Sequence, residues 1–238
     1  MQKISFNSLS ITEFVKMIEA SLGLSFARYG DGAFMCLQGI KGKNCDGASF
    51  SQKEAVALLE SILDTSIVHG LGTLARRVTK ADKWLLDKNI DISWYDCDVM
   101  NTASDEGRLY PFIEMIRERK VVFCGPTHLK QLRAFSIQSF VECHPTAAFD
   151  EIDALEKEIS YRIEKYDADM VILSAGTFAS PPLVSRIHKL FPQVSVLDTG
   201  SIWDPYVGVM SRSGHKKRGW RHYVHLGDVN FKMDITEW

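Results

Sequence analysis

The chain has 238 residues, of which 45% are hydrophobic and 24% charged, and its formal net charge is −2. This composition is ordinary for a soluble globular protein that can bury a sizeable core. The small net charge gives no electrostatic reason to expect nucleic acid as a partner, and no apolar run approaches the roughly 20 residues of a membrane-spanning helix. The five cysteines are scattered and form no CxxC pair, so we expect a reduced, cytoplasmic protein without a disulfide framework or a thiolate zinc site.

Helical and strand-like patterns alternate through most of the sequence. Capping boxes at residues 10–13 and 51–54 predict two helix starts. The apolar side chains expected to face the core are Ile11, Phe14, Val15 and Ile18 in the first helix and Val56, Leu59, Ile62 and Leu63 in the second. Further helices are predicted at residues 73–88, 109–116, from about 127, 149–163 and 183–190.

Strand-like apolar runs separate these helices. They lie at residues 25–30, 66–71, 91–98, 120–125, 139–144, 169–176 and 194–198. Strands that alternate with helices require crossover connections, which produce parallel strand pairs. The sequence therefore predicts an α/β fold, Rossmann-like, with a mainly parallel sheet and helices on both faces.

The last 32 residues differ from the rest of the chain. No linker or repeat interrupts residues 1–206, which we expect to form one domain, whereas residues 207–238 form an irregular basic extension of it. The basic residues of this extension are Arg212, His215, Lys216, Lys217, Arg218 and Arg221. Two hypotheses stay open, namely that the extension folds over the site and supplies positive charge, or that it is a solvated tail.

Ligands of parallel sheets bind beyond the carboxyl ends of the strands. Five such ends carry glycine beside a hydroxyl or a carboxylate, at residues 29–32, 70–73, 125–128, 175–178 and 198–201. Glycine lets the backbone approach a ligand, and helix N-termini offer N–H groups to phosphate oxygens. The resulting candidates for ligand binding are Gly30, Gly32, Gly125, Thr127, Gly176, Thr177, Gly200 and Ser201. Each glycine could instead serve the geometry of its turn.

Four charged residues near the first and last of these turns stand out. Arg28 could contact a phosphate or pair with Asp31, and Asp31 could bind a divalent metal or cap its turn. Asp198 and Asp204 could hold ribose hydroxyls, coordinate a metal or take a proton from an acceptor hydroxyl. His128 and His144 are further candidate bases, and Trp203 and Trp220 could stack on a sugar or pack in the interior.

The stretch "HGLGTLA" offers a different interpretation. Gly70, Gly72 and Ala75 satisfy the G-x-G-x-x-A dinucleotide pattern between a predicted strand and helix. Asp96 or Asp98 lies near the distance at which a ribose-binding carboxylate is expected. A Rossmann enzyme that uses NAD or S-adenosylmethionine is therefore an alternative.

Four stretches together resemble a known family. In order, "FARYGDG", "VVFCGPTHL", "DMVILSAGTFASPPLVSRI" and "VSVLDTGSIWDPY" resemble the bacterial GT-D type glycosyltransferases, formerly a domain of unknown function (DUF1792-like). The resemblance spans roughly residues 25–206, and it rests on the order and spacing of short motifs. It implies a Rossmann-like domain that transfers a hexose from a nucleotide sugar, typically UDP-linked, to a glycan or glycoprotein acceptor.

The resemblance also implies a divalent metal, Mn²⁺ or Mg²⁺, held through an Asp-x-Glu element within "R-[FY]-G-D-G-E". Residues 28–32 match this element, but Ala33 stands where the family has its glutamate. We therefore expect Asp31 to place the metal or the diphosphate, and Asp204 to act as the base. The loss of the glutamate keeps open a degenerate domain that binds a nucleotide without turnover.

Overall fold

Eight strands form one sheet in the computed structural model, which describes residues 3–40, 47, 50–212 and 215. The strands are β1 (Ser5–Asn7), β2 (Phe26–Tyr29), β3 (Val68–Leu71), β4 (Ser93–Asp96), β5 (Val121–Gly125), β6 (Ile137–Glu142), β7 (Met170–Leu173) and β8 (Ser195–Asp198). Their order across the sheet is β1-β4-β3-β2-β8-β7-β5-β6, and neighbouring strands run parallel. The predicted α/β fold with a parallel sheet is confirmed.

Helices connect the strands and cover both faces of the sheet. The α-helices are α1 (Ile11–Ala20), α2 (Asp31–Leu37), α3 (Gln52–Ile62), α4 (Ala81–Asp87), α5 (Val99–Asp105), α6 (Tyr110–Arg117), α7 (Ile152–Tyr166) and α8 (Ser180–Leu190). A π-helix spans Ala75–Thr79, and 3₁₀ helices span Thr127–Gln131, Ala148–Glu151 and Asp204–Val207.

Two hydrophobic cores lie on opposite faces of the sheet. The first face is covered by α2, α3, α4, α7 and α8, and the second by α1, α5, α6 and the segment around Trp203. Neighbouring residues of β5 divide between them, since Cys124 belongs to the first core and Phe123 to the second. This alternation follows from the two-residue repeat of a strand. All four residues of β7 are buried, as expected for a strand covered on both faces.

Both capping boxes form as the sequence predicts. The Ser10 N–H donates to the carboxylate of Glu13 at 2.7 Å, and the Glu13 N–H donates to the Ser10 hydroxyl at 3.2 Å. The Ser51 N–H donates to the carboxylate of Glu54 at 2.8 Å. These contacts satisfy N–H groups that a helix start otherwise leaves unpaired. The four predicted apolar positions of α1 are buried.

The predicted inner face of α3 is wrong at two of its positions. Val56 and Leu63 are exposed, at 49% and 57% of their surface. Ile62 is buried as predicted, and the other buried residues of α3 are Glu54, Ala57, Leu58 and Ser61. Because α3 packs against α2 and α8, its inner face includes small side chains that let these helices approach.

Two other predicted helices are shorter or interrupted. The helix expected at residues 73–88 breaks at Lys80, which has a left-handed backbone with φ of 56° between the π-helix and α4. The helix expected from about residue 127 is a single 3₁₀ segment, Thr127–Gln131. The structure also contains β1, α2 and α5, which were not predicted because such short elements carry little periodic signal.

Two further findings concern the whole of the described chain. Among the described residues, no helix has the length and apolarity needed to cross a membrane. Of the basic extension, the structure describes Arg212 and His215, whereas Lys216, Lys217, Arg218, Arg221 and also Trp220 lie outside the described residues.

Candidate functional site

The carboxyl ends of β2 and β8 border a crevice. β2 leads into α2, whose Ala33 and Phe34 belong to the first core. Its neighbour β8 leads into residues 202–207, whose Ile202 and Trp203 belong to the second core. Because the chain leaves these adjacent strands toward opposite faces, their ends form the switch point of the sheet, and we place the crevice there because parallel sheets bind ligands at such points.

Arg28 lies at this crevice and ties its two sides together. Its backbone N–H donates to Oδ2 of Asp198 at 3.2 Å, and its guanidinium Nη1 donates to the carbonyl of Thr199 at 2.7 Å. Within the described residues the buried Nε atom has no hydrogen-bond partner. Thus the structure places Arg28 against the turn after β8, and it gives no contact between Arg28 and Asp31.

Asp198 is a buried carboxylate at the end of β8. Burial raises its pKa to about 6, and the neighbouring Arg28 charge together with hydrogen bonds from Arg28, Gly200 and Ser180 opposes this rise. The Gly200 N–H donates to its Oδ1 at 3.2 Å. Asp198 therefore organises the turn that carries Gly200 and Ser201, and it changes charge close to neutral pH.

Asp31 begins α2 rather than lying in a loop. Gly30 precedes it as the N-cap, and Gly32 and Ala33 of the same helix are buried. Ala33 has no exposed surface and packs in the first core, so position 33 does not face the crevice. Among the described residues, no group of three histidine, cysteine or carboxylate side chains is arranged to hold a metal ion. The metal expected at Asp31 thus finds no second protein ligand at position 33.

A second polar cluster joins the turns after β5 and β8. Nε2 of His128 lies 2.9 Å from Oδ1 of Asp204, and the hydroxyl of Ser211 donates to Oδ2 of the same carboxylate. The Asp204 side chain is 8% exposed, whereas that of His128 is 36% exposed. Asp204, expected to be the base, is therefore enclosed, and its imidazole partner is the accessible group.

The C-terminal segment reaches the same edge of the sheet. Nε of Arg212 donates to the hydroxyl of Ser201 at 2.9 Å. His215 is buried, and burial lowers its pKa although the nearby Asp204 and Asp105 carboxylates oppose this effect. The first residues of the basic extension thus pack on the carboxyl edge, as one of the two hypotheses for it requires.

The remaining turn candidates divide into packed and accessible positions. Gly125 is packed, since a Cβ atom there would lie 2.9 Å from the Phe123 ring. The Thr127 hydroxyl donates to Glu142 at the edge strand. Gly176 and Thr177 are half-buried beside the start of α8, with open space at Gly176. Gly176 and Thr177 therefore lie where a ligand can reach them.

The dinucleotide-like pattern has structural explanations. Gly70 lies inside β3 rather than in a turn, and a Cβ atom there would lie 2.6 Å from both Cys97 and Phe26. The pattern leads into the π-helix Ala75–Thr79 rather than a regular α-helix. Asp98 accepts a hydrogen bond from the Thr73 N–H at 2.9 Å, so its carboxylate is engaged at the start of that segment.

Two other candidates have structural roles. His144 accepts hydrogen bonds from the N–H groups of Thr146 at 3.2 Å and Ala147 at 3.0 Å, so it closes its own turn. Trp203 is fully buried among aromatic rings and donates to the Thr199 hydroxyl at 2.9 Å. It packs in the interior and is not available to stack on a sugar.

Sequence reasoning did not find the connection between His128 and Asp204 or the hydroxyl groups that support the site. Ser180 donates to Asp198 and accepts from the Ala175 N–H at 3.1 Å, while Ser211 donates to Asp204. The sequence signal that could have indicated this pairing is that His128 and Asp204 both follow strand ends, since residues in such positions lie at the same edge of a parallel sheet.

Comparison with known proteins identifies the fold. No family model matches the chain, and no curated protein matches it in sequence. Two solved structures match with probability 1.00, each covering 83% of this chain and 79% of the other at 15% identity. One is a selenomethionine-substituted structure of domain of unknown function 1792, with a TM-score of 0.64. The other, with a TM-score of 0.65, is described as that domain having a distinct glycosyltransferase fold. The resemblance expected from the sequence is confirmed at the level of the fold.

Proposed function

We propose that this chain is a glycosyltransferase that transfers a hexose from a nucleotide sugar, UDP-linked, to a glycan or glycoprotein acceptor. The observation that carries the proposal is the shared fold, because the solved domain is described as having a glycosyltransferase fold and the match covers 83% of this chain. One fold can host many different reactions, so the proposal also depends on the residues of the site.

The crevice between β2 and β8 suits an elongated anionic ligand. Its accessible candidates lie along the carboxyl ends of β2, β8 and β7, which are neighbours in the sheet. They are Asp31, Gly176, Thr177, Gly200 and Ser201. From β2 to the β5 turn that carries His128 there are three strand spacings, or roughly 14 Å, a length comparable to that of a nucleotide sugar.

Positive charge for a diphosphate is available at this edge. The guanidinium of Arg28 lies below the turn after β8, and that of Arg212 lies on Ser201 at its surface. We assign Arg28 to the support of the turn and Arg212 to the electrostatic attraction of the donor. Asp198 holds the turn in place from below, and this support leaves Ser201 at the surface for a hydroxyl or phosphate oxygen.

The role of a metal stays a prediction from the sequence. Among the described side chains Asp31 belongs to no group of three potential ligands for Mn²⁺ or Mg²⁺, and buried Ala33 supplies none. A divalent ion would supply a positive charge at the leaving diphosphate when bound.

Calorimetric titration of UDP, with NAD and S-adenosylmethionine as controls, tests the proposal. We expect UDP to bind and both controls to fail, since Gly70 is explained by packing in β3. Affinity for a control cofactor without affinity for UDP would instead support the dinucleotide-type enzyme. Repeating the titration with manganese shows whether Asp31 is sufficient for a metal.

A further inference from the structure

The contact between His128 and Asp204 joins two turns that are 76 residues apart in sequence. His128 lies in the 3₁₀ helix after β5, and Asp204 begins the 3₁₀ helix after β8. The two helices pack against each other at the carboxyl edge of the sheet. The imidazole and the carboxylate are thus brought together by the fold, next to the crevice.

The hydrogen bonds of Asp204 indicate which ring nitrogen of His128 carries the proton. Asp204 accepts from the hydroxyl of Ser211 through Oδ2 and meets Nε2 of His128 through Oδ1. An ionised carboxylate only accepts hydrogen bonds, so Nε2 must carry the proton. The lone pair of the neutral imidazole then lies on Nδ1. Among the described residues, the hydrogen-bond partner of the His128 ring is Asp204, which contacts Nε2 and not Nδ1.

His128 is also the accessible member of the pair. Its side chain is 36% exposed, whereas that of Asp204 is 8% exposed. A base must come within hydrogen-bond reach of the proton that it removes, and an acceptor can approach the exposed imidazole more readily than the enclosed carboxylate. The carboxylate instead orients the ring and stabilises its protonated form.

We propose that Nδ1 of His128 is the catalytic base of the transfer and that Asp204 is its positioning residue. This inference rests on the proposed function. The acceptor hydroxyl oxygen forms a bond with the anomeric carbon of the donor while its proton passes to Nδ1. The bond from the anomeric carbon to the diphosphate oxygen breaks, and its electron pair leaves with UDP. Direct displacement of this kind inverts the configuration of the anomeric carbon.

Other charged groups surround the pair. Asp105 of α5 and Arg212 and His215 of the C-terminal segment lie on the side of Asp204. Lys130 and Glu142, which form an ion pair at 2.5 Å, lie on the side of the 3₁₀ helix that carries His128. Burial lowers the pKa of His215, and the nearby Asp204 and Asp105 carboxylates oppose this effect.

The test compares H128Q with H144Q in the release of UDP from UDP-glucose, UDP-galactose and UDP-N-acetylglucosamine, with water as the acceptor. His144 is the matched control because its contacts close its own turn. We expect kcat of H128Q to fall about 100-fold or more, with unchanged affinity for UDP, and H144Q to match the wild type.

D204N and the product configuration give independent results. D204N should lower kcat while leaving UDP affinity unchanged, because an amide no longer fixes the proton on Nε2. The sugar released by the wild type should have the opposite anomeric configuration to the donor by NMR. Turnover by H128Q at the wild-type rate, or a retained configuration, overturns the base. Lack of UDP release from every donor by the wild type, with water and with a glycan acceptor alike, would instead overturn the proposed function itself.

Discussion

Gly200 leaves room for the guanidinium of Arg28, since a Cβ atom at position 200 would lie 2.7 Å from Nη1. The same Nη1 atom donates to the Thr199 carbonyl at 2.7 Å, so the arginine cannot move away without losing this hydrogen bond. The turn after β8 and the arginine of β2 therefore depend on each other. This contact explains why position 200 is a glycine although its partner, Arg28, lies far away in the sequence.

G200A should destabilise the protein more than G176A. Both glycines have a positive φ, of 57° and 83°, so both alanines carry backbone strain. Only Gly200 faces Arg28, whereas the space at Gly176 is open. Because a hydrogen bond from a charged donor contributes roughly 1.5–3 kcal/mol, we expect the two free energies of unfolding to differ by about that amount. Urea denaturation measures the difference, and equal losses would contradict the assigned contact.

The buried Asp198 should make stability depend on pH. Its folded-state pKa is about 6, above the ordinary value of 3.8, so the folded state binds this proton more tightly than the unfolded chain does. The contribution is therefore fully present below about pH 4 and is lost as the pH rises through 6. At higher pH the loss amounts to about 3 kcal/mol, given 1.36 kcal/mol per pKa unit.

D198N isolates this effect, because asparagine does not titrate. We expect the free energy of unfolding of the wild type, minus that of D198N, to fall between pH 4 and pH 7. Denaturant titrations of both proteins at several pH values provide the measurement. A difference that stays constant across this window would show that Asp198 does not titrate there.

Restoring the family's glutamate by A33E should harm the protein rather than create a metal site. Ala33 is fully buried in the first core, so the new carboxylate would be placed among apolar groups. Burial of an unpaired charge destabilises by roughly 3 kcal/mol or more. M35E is the matched control, since Met35 is half-buried on the same helix. A33E with wild-type stability and manganese-strengthened UDP binding would contradict this account of position 33.

Local patterns in the sequence predict much of the fold. The capping box of Ser10 and Glu13 and the apolar stripe after it specify α1, because a helix start and its buried face are decided within a few turns. Likewise the apolar run at β7 identifies a strand that is buried on both faces. These features need no knowledge of distant residues, which is why they were predicted correctly.

Features that depend on distant packing were not predicted. The break at Lys80 and the exposure of Val56 follow from how neighbouring helices fit together, and no periodic pattern encodes that fit. For the site, the turns after the strands could be identified, but the pairing of His128 with Asp204 could not. Their partnership depends on the order of strands in the sheet, which the sequence does not display.

The release of UDP from a UDP-hexose by the wild-type chain is the decisive measurement of the proposed transferase activity. The full chain is incubated with each donor in turn, with and without manganese, and free UDP and free sugar are quantified. If the chain is a transferase, we expect stoichiometric release of both from at least one donor. Binding of UDP without release from any donor, and without transfer to a glycan acceptor, would contradict it and indicate a domain that binds the nucleotide without catalysis.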